Sequence, residues 1–423
     1  MSLSVGEYLR SLGAIPLPTN VPSEEVAPDF TVGVNSSDAK QLATIRVSET
    51  ATPEVNLRFF IDGVQRTVPI CLVRVENLMV PIYIAHLIAG ATERVNGRLR
   101  PFLRREAIVL YLPLEGLRNV NASLPTPSVI SNPLHKFDYT GNIYELVRRF
   151  QRPRQLTFWT DISVKLSSEE TNLDPAKLSA VGAVRKAARD RSKVLLRIME
   201  LGVTWEIAIS NILDEDEFIV LDGPVFLPLK YAGLTSQQLA TVMDTTGEQI
   251  GNIQQAYRLL RHLIGIVKNV QVIPVQGLAA ALSLGPSIVI PIYLFSTTVR
   301  GATDLVSRHT LACFVWLRRE LHQEIPLIWS PASGLSRIDI PFPAIVNPEV
   351  TWYTPDFQPD LSEGSYSRRR LEAILRTVVA DRWPVPETSP HRMLTELYAI
   401  AETERWLKAH LLPEQELREL GGI

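Results

Sequence analysis

Three carboxylates stand out in this 423-residue chain: Asp62 in Phe59-Phe60-Ile61-Asp62-Gly63, Glu206 in a long apolar helical stretch, and Asp222 in Val220-Leu221-Asp222-Gly223-Pro224. Each aspartate closes a run of strand-forming residues and is followed at once by glycine. That pattern predicts an acid at the end of a buried strand, where a backbone turn lets a ligand come close. Taken singly, an Asp-Gly after a strand is an ordinary turn, and a glutamate on an apolar helix face is often satisfied by an arginine. Taken in the order strand acid, helix acid, strand acid, they make a set that can hold divalent cations for phosphodiester chemistry. Carboxylate oxygens are hard ligands that suit Mg²⁺ or Mn²⁺. Two such ions about 4 Å apart activate water and stabilise the leaving oxygen of an in-line cleavage.

The helix offers two glutamates, and helical geometry separates them. At about 100° per residue, Glu206 shares a side with Leu195, Met199, Val203, Ile209, Ser210 and Leu213, whereas Glu200 falls with Lys193, Arg197, Thr204 and Asn211. A bare carboxylate on an apolar stripe costs several kcal/mol unless it is paired, protonated or metal-bound. The expectation is therefore that Glu206 faces the site and Glu200 faces solvent.

Other chemistries lack their residues. There is no G-x-x-x-x-G-K-[ST] phosphate loop, no G-x-S-x-G elbow, and no H-E-x-x-H among the seven histidines. The two cysteines, Cys71 and Cys313, exclude a disulfide framework and a thiolate zinc site, and both lie in apolar runs. A net charge of −2 gives no global attraction for nucleic acid, so any such contact falls to local clusters. No signal-peptide profile and no long uninterrupted apolar stretch is present, which predicts a cytoplasmic protein with no membrane partner.

The elements that must position the acids follow from the residue pattern. Residues 1–50, with Pro16, Pro18, Pro22 and Pro28, read as an extension or docking segment ahead of a main domain over 51–415. Strand-like runs at Leu57–Ile61, Val68–Val75, Val80–Ile88 and Ala107–Leu112 predict an antiparallel meander whose first strand delivers Asp62. Asp174-Pro175 marks a helix start, and the apolar helix runs to about Leu213. Phe218–Leu221 and Ile264–Lys268 are short strands around a helix predicted at 235–262. Ser287–Phe295, Leu311–Trp316 and Leu335–Ile340 add strands, and Tyr366–Ala380 and Pro390–Leu411 close the chain as helices. Strands followed by helix–strand alternation predict an α/β fold, one mixed sheet with helices packed on it.

Phe-Ile-Asp-Gly, the Glu-bearing helix leading to Val-Leu-Asp-Gly-Pro, and Gly265-Ile266-Val267-Lys268-Asn269 resemble, in that order, the motifs of NurA nucleases. The resemblance implies an RNase H-like core and a metal-dependent deoxyribonuclease with Asp62, Glu206 and Asp222 as ligands. It also implies a homodimer working with a HerA-type hexameric translocase in DNA end processing or anti-phage defence. Lys268, at a strand end, could contact the scissile phosphate; as readily, it caps the strand at the surface.

The chain departs from the family at two places. The first motif has Val64 where serine is usual, and Ser389-Pro390 stands where Tyr-Pro precedes a histidine. Tyr398 falls near that histidine's place, and His391 and Glu402 remain open as a further ligand. Arg98, Arg100, Arg104 and Arg105, together with Arg148, Arg149, Arg152 and Arg154, could track a DNA backbone, with Phe150, Phe158 and Trp159 stacking on bases; equally, such clusters form solvated faces. Arg368–Arg370 are expected to decorate the closing helix. The competing expectation is a catalytically weak or inactive RNase H-like subunit that binds DNA and docks on an ATPase, its acids displaced or neutralised by arginines.

Overall fold

The computed structural model describes residues 5–16, 39–121, 156–164, 173–210, 212–225, 257, 259–268, 270, 287–295, 309–318, 321, 334–350, 352, 357–386 and 390–421. From the N-terminus its elements are α1 (Val5–Ser11), β1 (Ala14–Pro16), β2 (Ala39–Ser48), β3 (Asn56–Val75), β4 (Leu78–Val95), β5 (Arg98–Leu112), α2 (Leu114–Val120) and β6 (Phe158–Asp161). There follow α3 (Val181–Ile209), β7 (Glu217–Asp222), β8 (Leu263–Val267), β9 (Ser287–Phe295), β10 (Thr310–Val315) and β11 (Ser336–Pro341). Helices α4 (Tyr366–Ala380), α5 (Pro390–Thr395), α6 (Tyr398–Lys408) and α7 (Glu414–Leu420) end the described chain.

All the strands join one mixed sheet in the order β2-β9-β10-β11-β8-β7-β3-β4-β5-β6, with β1 added against the far end of β3. Toward its β6 edge, β3, β4 and β5 form the expected antiparallel meander. Strands β7 and β8 then lie parallel to β3 on its other side. The order β5-β4-β3-β7-β8, with β4 alone reversed, is the RNase H-like mixed sheet, and helices cover both its faces. The β4–β5 turn is Asn96-Gly97 with both residues at positive φ, the pair of conformations a tight two-residue hairpin requires.

Burial explains why the central strands form where they do. Phe59, Phe60, Ile61, Val220, Leu221, Ile264 and Ile266 are at most 1% exposed. Each such side chain contributes roughly 1.5–3 kcal/mol on burial. Consecutive rather than alternate residues are buried because α3 packs on one face of β3 and β4 and α6 on the other. Glycine marks both approaches. A Cβ at Gly63 would come within 2.7 Å of Leu196 on α3, and one at Gly90 within 2.7 Å of Leu407 on α6.

Several boundaries differ from the expectation. Leu57–Ile61 and Val68–Val75 are one strand, so Asp62 lies inside β3, not at its end. The chain runs on through Gly63 because that glycine makes room for a helix and not for a turn. The described parts of residues 1–50 belong to the sheet: β2 pairs with β9, β1 with β3, and Tyr8, Leu9 and Leu12 of α1 are buried in the core. The long helix starts at Val181 after a single 3-10 turn at Pro175–Lys177. The closing helix breaks into α5 and α6, with Glu396 and Leu397 between them. Most of the helix predicted at 235–262 lies outside the described residues. Among those described, no helix is long and apolar enough to cross a membrane.

Candidate functional site

Adjacent register positions set the site. Ile61 pairs with Leu221 in the parallel β3–β7 ladder, so the next residues, Asp62 and Asp222, stand side by side where β7 stops and β3 continues. Lys268 follows β8, two residues beyond Ile266, the partner of Asp222. Three neighbouring strands thus deliver two acids and one ammonium to one notch. Strand alternation turns Asp62 away from α3, toward the face that α6 covers.

The glutamate that reaches this notch is Glu200, not Glu206. Glu200 is 2% exposed, so its assignment to solvent is overturned. It comes from the α3 side through the gap left by Gly63, whose absent side chain would collide with the carboxylate. Six residues further along, Glu206 lies over β5 instead and pairs with Arg105 at 2.7 Å. The separation is geometric: six helical residues advance about 9 Å, close to the distance between β3 and β5 two strands apart. The helical-wheel expectation failed because α3 is enclosed on more than one side. From Val194 to Thr204 only Arg197 is incompletely buried.

Cations already engage these acids. Arg197 pairs with Glu200 at 2.7 Å and donates to the Asp222 backbone carbonyl. Gly223, at φ +115, leaves the space that this guanidinium fills. Lys268 Nζ lies 2.7 Å from Asp222 Oδ2 and 2.6 Å from Glu396 Oε1. Glu396 is fully buried at the α5–α6 break and also accepts two hydrogen bonds from Arg392, of 2.8 and 2.6 Å. Arg392 reaches on to Glu404 of α6. The break itself is pinned by the buried Arg318, whose guanidinium donates to the Met393 and Glu396 carbonyls at 2.8 Å each.

The electrostatics follow from this crowding. Burial, reinforced by Asp222, pushes the Asp62 carboxyl well above the usual carboxylate range. Its Oδ1 accepts from the Gly63 amide at 2.7 Å, while its buried Oδ2 has no hydrogen-bond partner. Burial raises Glu200 to about 6, with Arg197 opposing the rise. Burial alone would lower Lys268; Asp222, Asp62 and Glu396 outweigh it and hold the ammonium above its ordinary value.

Among the described residues no three His, Cys, Asp or Glu side chains converge to hold a metal ion between them. What the notch fits is a looser mode, in which one or two carboxylates share the ion with water and substrate phosphate, the usual manner of Mg²⁺. The orphaned Asp62 Oδ2 beside Asp222 is the observation that meets it.

The remaining expected residues are placed as follows. Arg104 pairs with Glu106 at 2.5 Å, and Arg105 is taken by Glu206. Arg98 and Arg100 are exposed on the β4–β5 hairpin. Phe158 and Trp159 are buried in β6, because they fill the core beneath the sheet edge, and so do not stack on bases. Arg148, Arg149, Phe150, Arg152 and Arg154 lie outside the described residues, as does the side chain of His391. Glu402 pairs with Arg405 at 2.6 Å, and Tyr398 opens α6 half-buried. Arg368 and Arg370 pair with Glu372 and Asp216 on α4's surroundings, as expected of a closing helix. Cys71 and Cys313 are core thiols, Cys71 pushed up to about 12 by burial. The sequence reading missed Glu200, Glu396, Arg197 and Arg392; the Glu396 signal was an acid directly before a run of apolar helix positions, too common to single out.

No family model matches this chain, and no curated protein does. Among solved structures, the crystal structure of the NurA nuclease from Sulfolobus solfataricus is similar at 10% identity, with a TM-score of 0.24, covering 78% of this chain and 81% of that one.

Proposed function

We propose that this protein is a divalent-metal-dependent phosphodiesterase that cuts DNA at the notch between β3, β7 and β8. The observation that carries this reading is the paired Asp62 and Asp222, with a buried, unpartnered Asp62 oxygen and Glu200 behind them. Buried acids in such excess raise one another's proton affinity and are relieved by a cation. Asp62 and Asp222 would hold Mg²⁺ or Mn²⁺, which supplies Lewis-acid activation of water and stabilisation of the leaving oxygen.

This chain's own residues do the rest. Asp62, whose carboxyl burial raises, would have to be ionised for its unpartnered oxygen to serve as a ligand. Arg197 holds Glu200 in place and fixes the Asp222 backbone through its carbonyl. Lys268 sits within the same charge cluster and would meet a phosphate oxygen on substrate binding. A translocase of the HerA type as partner, a homodimer, and a role in DNA end processing belong to the same reading through the motif resemblance alone.

A second reading has its own observation. Glu200 and Asp222 each already have a cationic partner at 2.7 Å, which suits a subunit that binds DNA and docks on an ATPase without cutting. One experiment separates the two: cleavage of labelled single- and double-stranded DNA in Mn²⁺, Mg²⁺ or EDTA, with Asp222→Asn beside wild type. Metal-dependent cleavage lost in the variant supports the nuclease. DNA binding with no cleavage in any metal supports the second reading.

A further inference from the structure

We propose that Lys268 is an exchangeable internal cation of the site and that Glu396 is the positioning residue that receives it when a divalent ion enters. The proposal rests on the metal-binding reading above and adds a device to it. The ammonium lies between two carboxylates, 2.7 Å from Asp222 and 2.6 Å from Glu396, on a side chain only 15% exposed. An ammonium has three donors on a flexible four-carbon stem, so it can leave one acceptor while keeping the other. Arg197, by contrast, donates from Nη1 to both Glu200 and the Asp222 backbone carbonyl, and is thereby tied to a main-chain group as well as to a carboxylate.

The two acceptors of Lys268 are not alike. Asp222 stands beside the orphaned Asp62 oxygen, where an incoming ion would bind. Glu396 is fully buried, is fixed by two hydrogen bonds from Arg392, and has its backbone tied down by Arg318. An ion at Asp62 and Asp222 repels the ammonium, and Glu396 offers an anchored anion on its far side. Glu396 therefore strengthens metal binding without touching the ion. In the metal-free state the same lysine neutralises Asp222 and keeps the acid cluster stable.

The test is Mn²⁺ binding without DNA, read from the free-ion electron paramagnetic resonance signal, so that activity plays no part. Lys268→Met removes the tethered competitor and is expected to tighten Mn²⁺ about ten-fold, the scale of a one-charge coupling. Glu396→Gln leaves the ammonium on Asp222 and is expected to weaken Mn²⁺ about ten-fold. The double variant is expected to match Lys268→Met, because Glu396 acts only through the lysine. Should Glu396→Gln fail to fold, Lys268→Met still decides the exchange. Mn²⁺ binding that Asp62→Asn abolishes but Lys268→Met leaves unchanged or weakens overturns the exchange alone. An equal loss from Glu396→Gln with or without Lys268 also overturns it, making Glu396 a direct ligand. No Asp62-dependent Mn²⁺ binding in any variant overturns the metal reading together with the exchange.

Discussion

Helix α3 carries two glutamates six residues apart, each facing one arginine at 2.7 Å, and the two neighbourhoods behave differently. Glu206 pairs with Arg105 over β5, and its other carboxylate oxygen is buried without a hydrogen-bond partner. Glu200 and Arg197 enter a cluster that also holds Asp62, Asp222, Glu396 and Glu404, met among the described residues by Lys268, Arg392 and, at Glu404, the exposed Lys408. Burial acts first on the proton affinities here, and Asp222 adds to it. Glu200 and Asp62 are raised, Asp62 strongly. A buried glutamate is therefore a weak marker of a site, and a surplus of acids over cations is a much better one.

The largest contrast should come from amide substitutions. We expect Asp62→Asn and Asp222→Asn to lower metal-dependent cleavage by at least about 100-fold, since even outer residues around a metal cost 10–100-fold. Glu206→Gln should leave cleavage within a few-fold of wild type in the same assay. Loss of cleavage on Glu206→Gln, with a normal melting curve, would break the distinction between the two glutamates.

Gly63→Ala sharpens the same point by geometry. Its methyl group would press on Leu196 and on the Glu200 carboxylate, costing about 1–3 kcal/mol as over-packing does. Chemical denaturation measures that loss, and cleavage should fall with it. Alanine at Gly116, which packs on Leu178 away from the notch, should destabilise without the accompanying change in metal affinity.

Acid titration offers a smaller, signed effect. Glu200 is raised from 4.5 to about 6 in the folded chain. Above the unfolded value the unfolded chain has released a proton that the folded chain still holds, so stability falls as pH rises from 4.5 to 6, by about 2 kcal/mol in all. Denaturation curves across that window should lose this slope in Glu200→Gln and keep it in Glu206→Gln. Metal loading runs the other way with pH. Because burial raises the Asp62 carboxyl and a metal ligand must be ionised, Mn²⁺ affinity should rise with pH, with proton release visible in calorimetry performed in buffers of different ionisation heat.

The smallest effect on metal binding belongs to the pair over β5. Breaking Glu206–Arg105, with side chains 16% and 23% exposed, should cost about 1–3 kcal/mol through the group left unpaired, and leave Mn²⁺ binding unchanged. A melting temperature lowered without loss of metal affinity is the expected outcome.

Much of this was legible along the chain. Val220-Leu221-Asp222 and Gly265-Ile266-Val267-Lys268 are short, wholly apolar runs that end in a charge, and a parallel strand buried on both faces can be little else. The meander announced itself through strand runs separated by turn residues, Asn96-Gly97 among them. The Asp62 position was visible, though its glycine pointed to a turn when it served a helix contact.

Local pattern thus determined which strands would form and that Asp62, Asp222 and Lys268 would cap or interrupt them, because strand propensity and turn chemistry act over a few residues. Which glutamate joins them was decided only by the packing of α3 across three strands. A wheel records direction around the helix axis; the position of each residue along it, over β3 or over β5, depends on where the helix docks. Glu396 belongs entirely to the tertiary structure, since a residue 128 positions from Lys268 becomes its partner only when a buried arginine folds the α5–α6 break against the sheet.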